Sequence, residues 1–288
     1  MSSLVKRYPL VFYFTLAFLF TWAYWLPRAA ADRGLLDIQV PGFVMLIAGY
    51  GPALAAIIVA GLAQGREGLR RLFGRLARWR VGLRWYLAAL LIPPAIQFSA
   101  LALHLIFSNE PFRLAGSAQL TFGPDGQPLW GQLLILLAIY ILGCDGLGEE
   151  LGWRGYALPR LQEKRSPLIS SLILGVFWAL WHLPYMLSAG SVLADRPFIL
   201  FFLNVLAQSI LYTWLYNSTG GSTLLAILFH AAGNTTGTLM GAVVPAAGDP
   251  RVYVFGTVLN WLLAIVLLLL SRQTFKEAKF DVTADASG

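Results

Sequence analysis

Seven stretches of this chain contain no Asp, Glu, Lys or Arg: residues 8–27, 38–65, 85–109, 126–144, 166–194, 197–248 and 252–271, which are 20, 28, 25, 19, 29, 52 and 20 residues long. A helix needs about 20 mostly apolar residues to cross roughly 30 Å of hydrocarbon. Each stretch is therefore a candidate crossing, and 197–248 is long enough for two. Its middle carries the turn-forming run Asn217-Ser218-Thr219-Gly220-Gly221-Ser222, which divides it. The expected fold is an all-α membrane protein, a bundle of eight transmembrane helices. The runs are continuously apolar and lack the alternation of a membrane β-barrel. Charged residues make up 12% of the chain, against about 25% in an average soluble domain, so a soluble globular domain and a disordered chain are both excluded.

Basic residues collect on the cytoplasmic side of a bilayer. With eight spans, 16 of the 21 Lys and Arg fall on the side that holds the N-terminus, the second, fourth and sixth loops and the C-terminus. Both termini are accordingly expected in the cytoplasm, and an integral, multi-pass location follows, in the plasma (inner) membrane if the source is bacterial. Residues 1–272 read as one polytopic domain whose chemistry concentrates in about 126–248, and 273–288 as a short cytoplasmic tail. Lys6 and Arg7 before the first run and Ala29-Ala30-Ala31 after it mimic a secretory leader. The apolar core is too long and too aromatic for one, so a retained helix is expected. The basic loop from Arg66 to Arg84 has an amphipathic pattern suited to anionic headgroups. The lipid bilayer is thus the expected partner of the net charge of +7, and nucleic acid is not. The single cysteine, Cys144, excludes an intrachain disulfide and a cysteine-rich metal cluster.

Ionisable side chains are costly inside a membrane, so the few present mark function by default. They are Asp145, Glu149, Glu150 and Arg154 at the end of the fourth span, His182 in the fifth, and His230 with Asn234 in the seventh. On a helix, Arg154 is one turn after Glu150, the favoured acid-before-base order for an ion pair. Glu149 is left without an obvious cation. Asp145 lies one turn before it, an arrangement of like charges that suits a general base. Glutamate can activate water, histidine can orient it or protonate a leaving amine, and His and Asn can bind an oxyanion. Taken together these are the ingredients of hydrolysis. His104, near the extracytoplasmic end of the third span, reads as structural. Cys144 lacks a positioned base, and Asn204 with Gln208 reads as glue between helices.

Glu149-Glu150-x-x-x-Arg154, the element from Trp178 to His182, and His230-x-x-x-Asn234 resemble the signature motifs of the CPBP family, the CAAX-processing and bacteriocin-processing membrane proteases also called Abi proteins. Gly51-Pro52-Ala53 resembles that family's usual early helix. The family often has Phe where this chain has Trp178. The resemblance implies an intramembrane endopeptidase that hydrolyses a peptide bond in a membrane-associated, lipidated or unlipidated, protein or peptide reaching the site from the cytoplasm or the membrane. It implies Glu149 as catalytic glutamate, Glu150 and Arg154 as a supporting pair with Trp178 beside them, His182 assisting at the water, and His230 with Asn234 stabilising the oxyanion. The alternatives are a non-catalytic bacteriocin-immunity or scaffold protein of the same fold, and a small-solute transporter. Discontinuous paired helices and repeat symmetry, which a transporter calls for, are not evident.

Glu and His are legitimate zinc ligands, but there is no His-Glu-x-x-His helix and Asn234 is a poor ligand. No cofactor is favoured; if zinc is present, Glu150, His182 and His230 are its expected ligands. Depth imposes a further condition. With the fifth helix starting at Ser166, His182 lies roughly 24 Å along it, and His230 lies roughly 12 Å along the seventh. Glu149 meets them if the fourth helix runs on to Leu161, about 18 Å further, with a hairpin at about 162–167 and Arg154 snorkelling upward.

Overall fold

The computed structural model describes residues 2–39, 41, 43–114, 121–122, 127–189, 191–194 and 196–276. The expected tail lies outside the described residues beyond 276. The principal helices are α1 (Pro9–Asp32), α2 (Gly51–Leu76), α3 (Leu83–Ser108), α4 (Leu129–Leu142), α5 (Pro167–Trp181), α6 (Phe198–Ser218), α7 (Thr223–Val243) and α8 (Pro250–Leu270). Among the described residues five helical runs are long and apolar enough to cross a membrane: Pro9–Asp32, Leu83–Ser108, Gln132–Gln162, Phe198–Ser218 and Pro250–Leu270. Large apolar side chains cover the outside of the bundle; Leu19, Leu91 and Leu262 are each more than half exposed. Such a surface is stable against lipid and not against water, and the protein is an integral membrane protein.

The three remaining helices fall short for identifiable reasons. The run 38–65 is broken at Tyr50, where a short helix, Phe43–Gly49, meets α2. Gly65, at φ 60° and ψ −144°, then kinks α2. Beyond the kink the basic segment is helical as expected, with Leu72 and Arg75 inward and Glu67 accepting from Arg71 at 2.9 Å and Arg70 at 3.2 Å. The Arg71 hydrogen bond holds the exposed Glu67 carboxyl below its ordinary range. α5 is only 15 residues long; Leu183-Pro184 follows it in a separate turn, Leu183–Met186. α7 is long enough, but His230, Asn234 and a series of threonines and glycines lower its apolarity.

Local signals account for the helix ends. Ser166 caps α5 by accepting from the Ile169 N–H at 3.4 Å, with Pro167 at the first position. Gly220 and Gly221, at φ 65° and 85°, turn the chain after α6, and Ser222 caps α7 through the Leu225 N–H. The division of the 52-residue run at this turn is therefore confirmed. Asp249 caps α8 through the Arg251 N–H at 2.7 Å. α1 packs on α2, α5 on α6, and α3 on α7 and α8. Asn260 of α8 donates to Asn204 of α6 at 3.0 Å, the interhelical role expected of Asn204. Gln208 makes no side-chain hydrogen bond to a described residue.

The fourth span continues past the acidic motif. Helical winding runs from Gln132 to Gln162, on the order of 45 Å at 1.5 Å per residue, and reverses before Pro167. The interruption falls at Gly143, which is extended at ψ −172°, and not at Gly152 or Gly155. Gly152 instead serves packing. A Cβ there would stand 2.5 Å from the Pro52 carbonyl carbon and oxygen. The glycine lets this helix touch the first turn of α2, the segment containing Gly51-Pro52-Ala53.

Candidate active site

The acidic motif is wound as a π-helix over Cys144–Glu149, a single α turn over Glu150–Gly152, and a second π-helix over Trp153–Ala157. π segments are rare and recur at functional sites. Spacing the backbone bonds five residues apart instead of four turns each residue through less than the 100° of an α-helix. Adjacent side chains then diverge less. Both glutamates are buried, Glu149 4% exposed and Glu150 fully enclosed, and both reach the same histidine of α7.

Glu150 is held from two sides. Arg154 Nη1 donates to its Oε1 at 2.9 Å and Oε2 at 3.1 Å, and His230 Nδ1 lies 2.9 Å from Oε1. The i,i+4 pair expected from the sequence is therefore formed. Arg154 does not snorkel, contrary to expectation; its side chain is fully enclosed. Its guanidinium is sandwiched between the Trp178 ring at 4.4 Å and the Tyr212 ring at 4.0 Å. Among the described residues Arg154 Nε and Nη2 have no hydrogen-bond partner, so the two aromatic faces supply part of the compensation that burial of the charge requires.

Glu149 is oriented by indoles. Trp178 Nε1 donates to its Oε2 at 2.5 Å and Trp153 Nε1 to the same oxygen at 3.3 Å. Oε1 is left for other partners. Trp178 also connects to the first histidine. Its carbonyl accepts from His182 Nδ1 at 2.9 Å. A carbonyl can only accept, so Nδ1 carries the proton and Nε2 keeps its lone pair. The Trp178 ring lies 6.2 Å from the His182 ring and 5.9 Å from the His230 ring. Trp178 thus touches or neighbours Glu149, Arg154, His182 and His230. Phe at this position could not donate to Glu149.

Asn234 lies one turn after His230 on α7, half-buried, and its side chain makes no hydrogen bond to a described residue. The Gly233 carbonyl between them accepts from Gln97 of α3 at 2.8 Å. Asp145, Glu149 and His230 each offer a ligand atom within 4.8 Å of the other two. This group differs from the expected zinc ligands Glu150, His182 and His230; Glu150 is engaged by both Arg154 and His230. Carboxylates with one imidazole are a chemically suitable set for zinc. His104 stands apart, at the far end of α3.

Tyr212, Trp153 and Gln97 were not singled out from the sequence. Trp153 carried a signal, since it is four residues after Glu149. Tyr212 and Gln97 lie within apolar runs, and nothing local marks them. Residues 130–236 match the family model described as type II CAAX prenyl endopeptidase Rce1-like. That segment contains Glu149, Glu150, Arg154, Trp178, His182, His230 and Asn234. Along most of its length the chain is similar to the CAAX prenyl protease 2 of Methanococcus maripaludis. The two are 26% identical over 272 residues, which is 92% of this chain and 95% of that protein.

Proposed function

We propose that this chain is a member of the CPBP family of membrane proteases, an intramembrane endopeptidase that cuts a CAAX-type tail, or a similar peptide, by glutamate-activated water, in line with its similarity to Rce1-like endopeptidases and a CAAX prenyl protease 2. The observation that carries this reading is the convergence on Trp178. One indole ties down Glu149 of the fourth span, its carbonyl fixes His182 after α5, and its ring neighbours His230 of α7.

In the proposed mechanism Glu149 Oε1 takes a proton from water, and His182 Nε2 accepts a hydrogen bond from the hydrogen that stays on the oxygen, aiming it at the scissile carbonyl. His230, its ring fixed by Glu150, and the uncommitted amide of Asn234 donate to the developing oxyanion. Glu149 then returns its proton to the leaving amine. If a divalent metal is bound, Asp145, Glu149 and His230 would hold it, and it would polarise the carbonyl or the water. The residue chemistry does not require one, and a metal-free reaction is the reading we favour. Eight spans with both termini cytoplasmic are proposed from the 16 to 5 division of basic residues, and the substrate reaches the site from the cytoplasm or laterally from the membrane. Intact site residues on three chain segments disfavour a scaffold with a vestigial site.

The test is cleavage of a fluorogenic, prenylated Cys-aliphatic-aliphatic-X peptide by purified protein in detergent micelles, followed by mass identification of the products. Endoproteolysis that persists with chelator is expected. No cleavage of any prenylated or unprenylated peptide by folded protein overturns the proposal, and activity lost to chelator and restored by a metal overturns its metal-free form. A second variant reads the indole directly. Trp178→Phe removes a donor to a carboxylate, worth about 1.5–3 kcal/mol. Turnover of the same peptide should fall on the order of 10- to 100-fold, with the protein still folded by circular dichroism.

A further inference from the structure

A second cluster of metal-ligating side chains lies at the opposite end of α3, about 30 Å from its Leu83 end at 1.5 Å per residue. His104 occupies the penultimate turn of α3. Asn109, in the left-handed region at φ 56°, ends the helix. The Glu110 N–H then bonds Ser108 Oγ at 3.3 Å, so Glu110 turns back beside the helix end. Asp249 arrives from the other side, in the connection between α7 and α8.

The imidazole between them is unusual. The His104 side chain is 0% exposed, and neither ring nitrogen has a hydrogen-bond partner among the described residues. A neutral structural histidine ordinarily satisfies at least one of them. Instead Nε2 is 3.6 Å from Glu110 Oε2 and Nδ1 is 3.9 Å from Asp249 Oδ1. One ligand atom from each of the three residues lies within 4.8 Å of the others. These separations are too long for good hydrogen bonds. A cation would take one of the two ring nitrogens, and two ligands each about 2.1 Å from a tetrahedral zinc stand about 3.4 Å apart, near the Nε2–Glu110 separation.

We propose that His104, Glu110 and Asp249 form a site for a divalent transition-metal cation of the zinc type, which ties the end of α3 to the start of α8. The charge balance is consistent with this. Two carboxylates face one fixed cation, Arg251, whose Nη2 lies 2.8 Å from Asp249 and 3.4 Å from Glu110. Arg251 is 56% exposed, so its guanidinium is free to move out into solvent when a metal arrives. It is the competitor of the metal and not a ligand. Glu110 and Asp249 are themselves partly exposed, which gives an ion a path to the buried ring. This site shares no residue with the Asp145, Glu149 and His230 group and is independent of the proposed reaction.

The experiment uses full-length, metal-stripped protein in detergent, with Glu149→Ala to disable the other acidic group. Zinc chloride is titrated while thermal unfolding and bound metal are followed. One equivalent is expected to bind and to raise Tm by several degrees. Glu110→Gln, an exposed change that leaves the core intact, should weaken binding by about tenfold or more, and His104→Ala should remove it. Arg251→Gln should tighten binding by about tenfold, because a cation held against the same carboxylates is gone. Absence of a zinc-dependent shift, or a shift that Glu110→Gln and Arg251→Gln leave unchanged, overturns the proposal.

Discussion

Glu149→Gln is expected to abolish peptide cleavage and to leave the folded protein intact. The amide is the same size as the carboxylate, and its oxygen can still accept from the indoles of Trp178 and Trp153, which donate at 2.5 Å and 3.3 Å in the native protein. Packing and orientation are therefore kept. Only the capacity to take a proton from water is lost. General-base catalysis contributes about 10²- to 10⁴-fold, so kcat should fall by at least that order in the fluorogenic assay. The melting profile should stay near that of the native protein. Undiminished turnover by a well-folded variant would remove Glu149 from the mechanism.

Glu150→Gln should act chiefly on stability. The Glu150 carboxylate neutralises an Arg154 whose side chain is fully enclosed, pressed between the Trp178 and Tyr212 rings. Without the carboxylate a cation is left buried and uncompensated, which costs about 3–5 kcal/mol. Thermal unfolding in detergent should show a large drop in Tm. The double variant Glu150→Gln/Arg154→Met removes both charges and should regain most of the lost stability, since apolar replacements of buried ion pairs are often neutral. It should not regain activity, because His230 loses the carboxylate that fixes its ring at 2.9 Å. A double variant as unstable as the single one would show that the ion pair is not the source of the loss.

These two glutamates also show where sequence reasoning reaches and where it stops. The Glu150 to Arg154 pairing follows from helical spacing alone and is found as expected. The shared orientation of Glu149 and Glu150 does not follow. An α-helix would part them by 100°, whereas the segment Cys144–Glu149 is π-wound, with Gly148 packed closely on Gly49 and Tyr50. Arg154, though paired, was expected to snorkel towards the membrane surface. With Glu150 at 2.9 Å and two aromatic faces within 4.4 Å, the interior is the better solvent for it. At Trp178 the family often has Phe. In place the indole is a hydrogen-bond donor to Glu149 and the hub of the site.

Composition and run length suffice for the membrane environment, the helical class and the turn at 217–222, because hydrocarbon leaves a backbone no option but internal hydrogen bonding. Motif spacing likewise suffices to single out the residues proposed to carry the chemistry. The aromatic cage around Arg154, the donors on Glu149, the placement of Asp145 beside His230 and the facing of His104 with Glu110 and Asp249 join residues distant in the chain. Contacts of that kind depend on how whole helices pack and rotate against one another. No local pattern encodes that rotation, and it emerged from the assembled bundle.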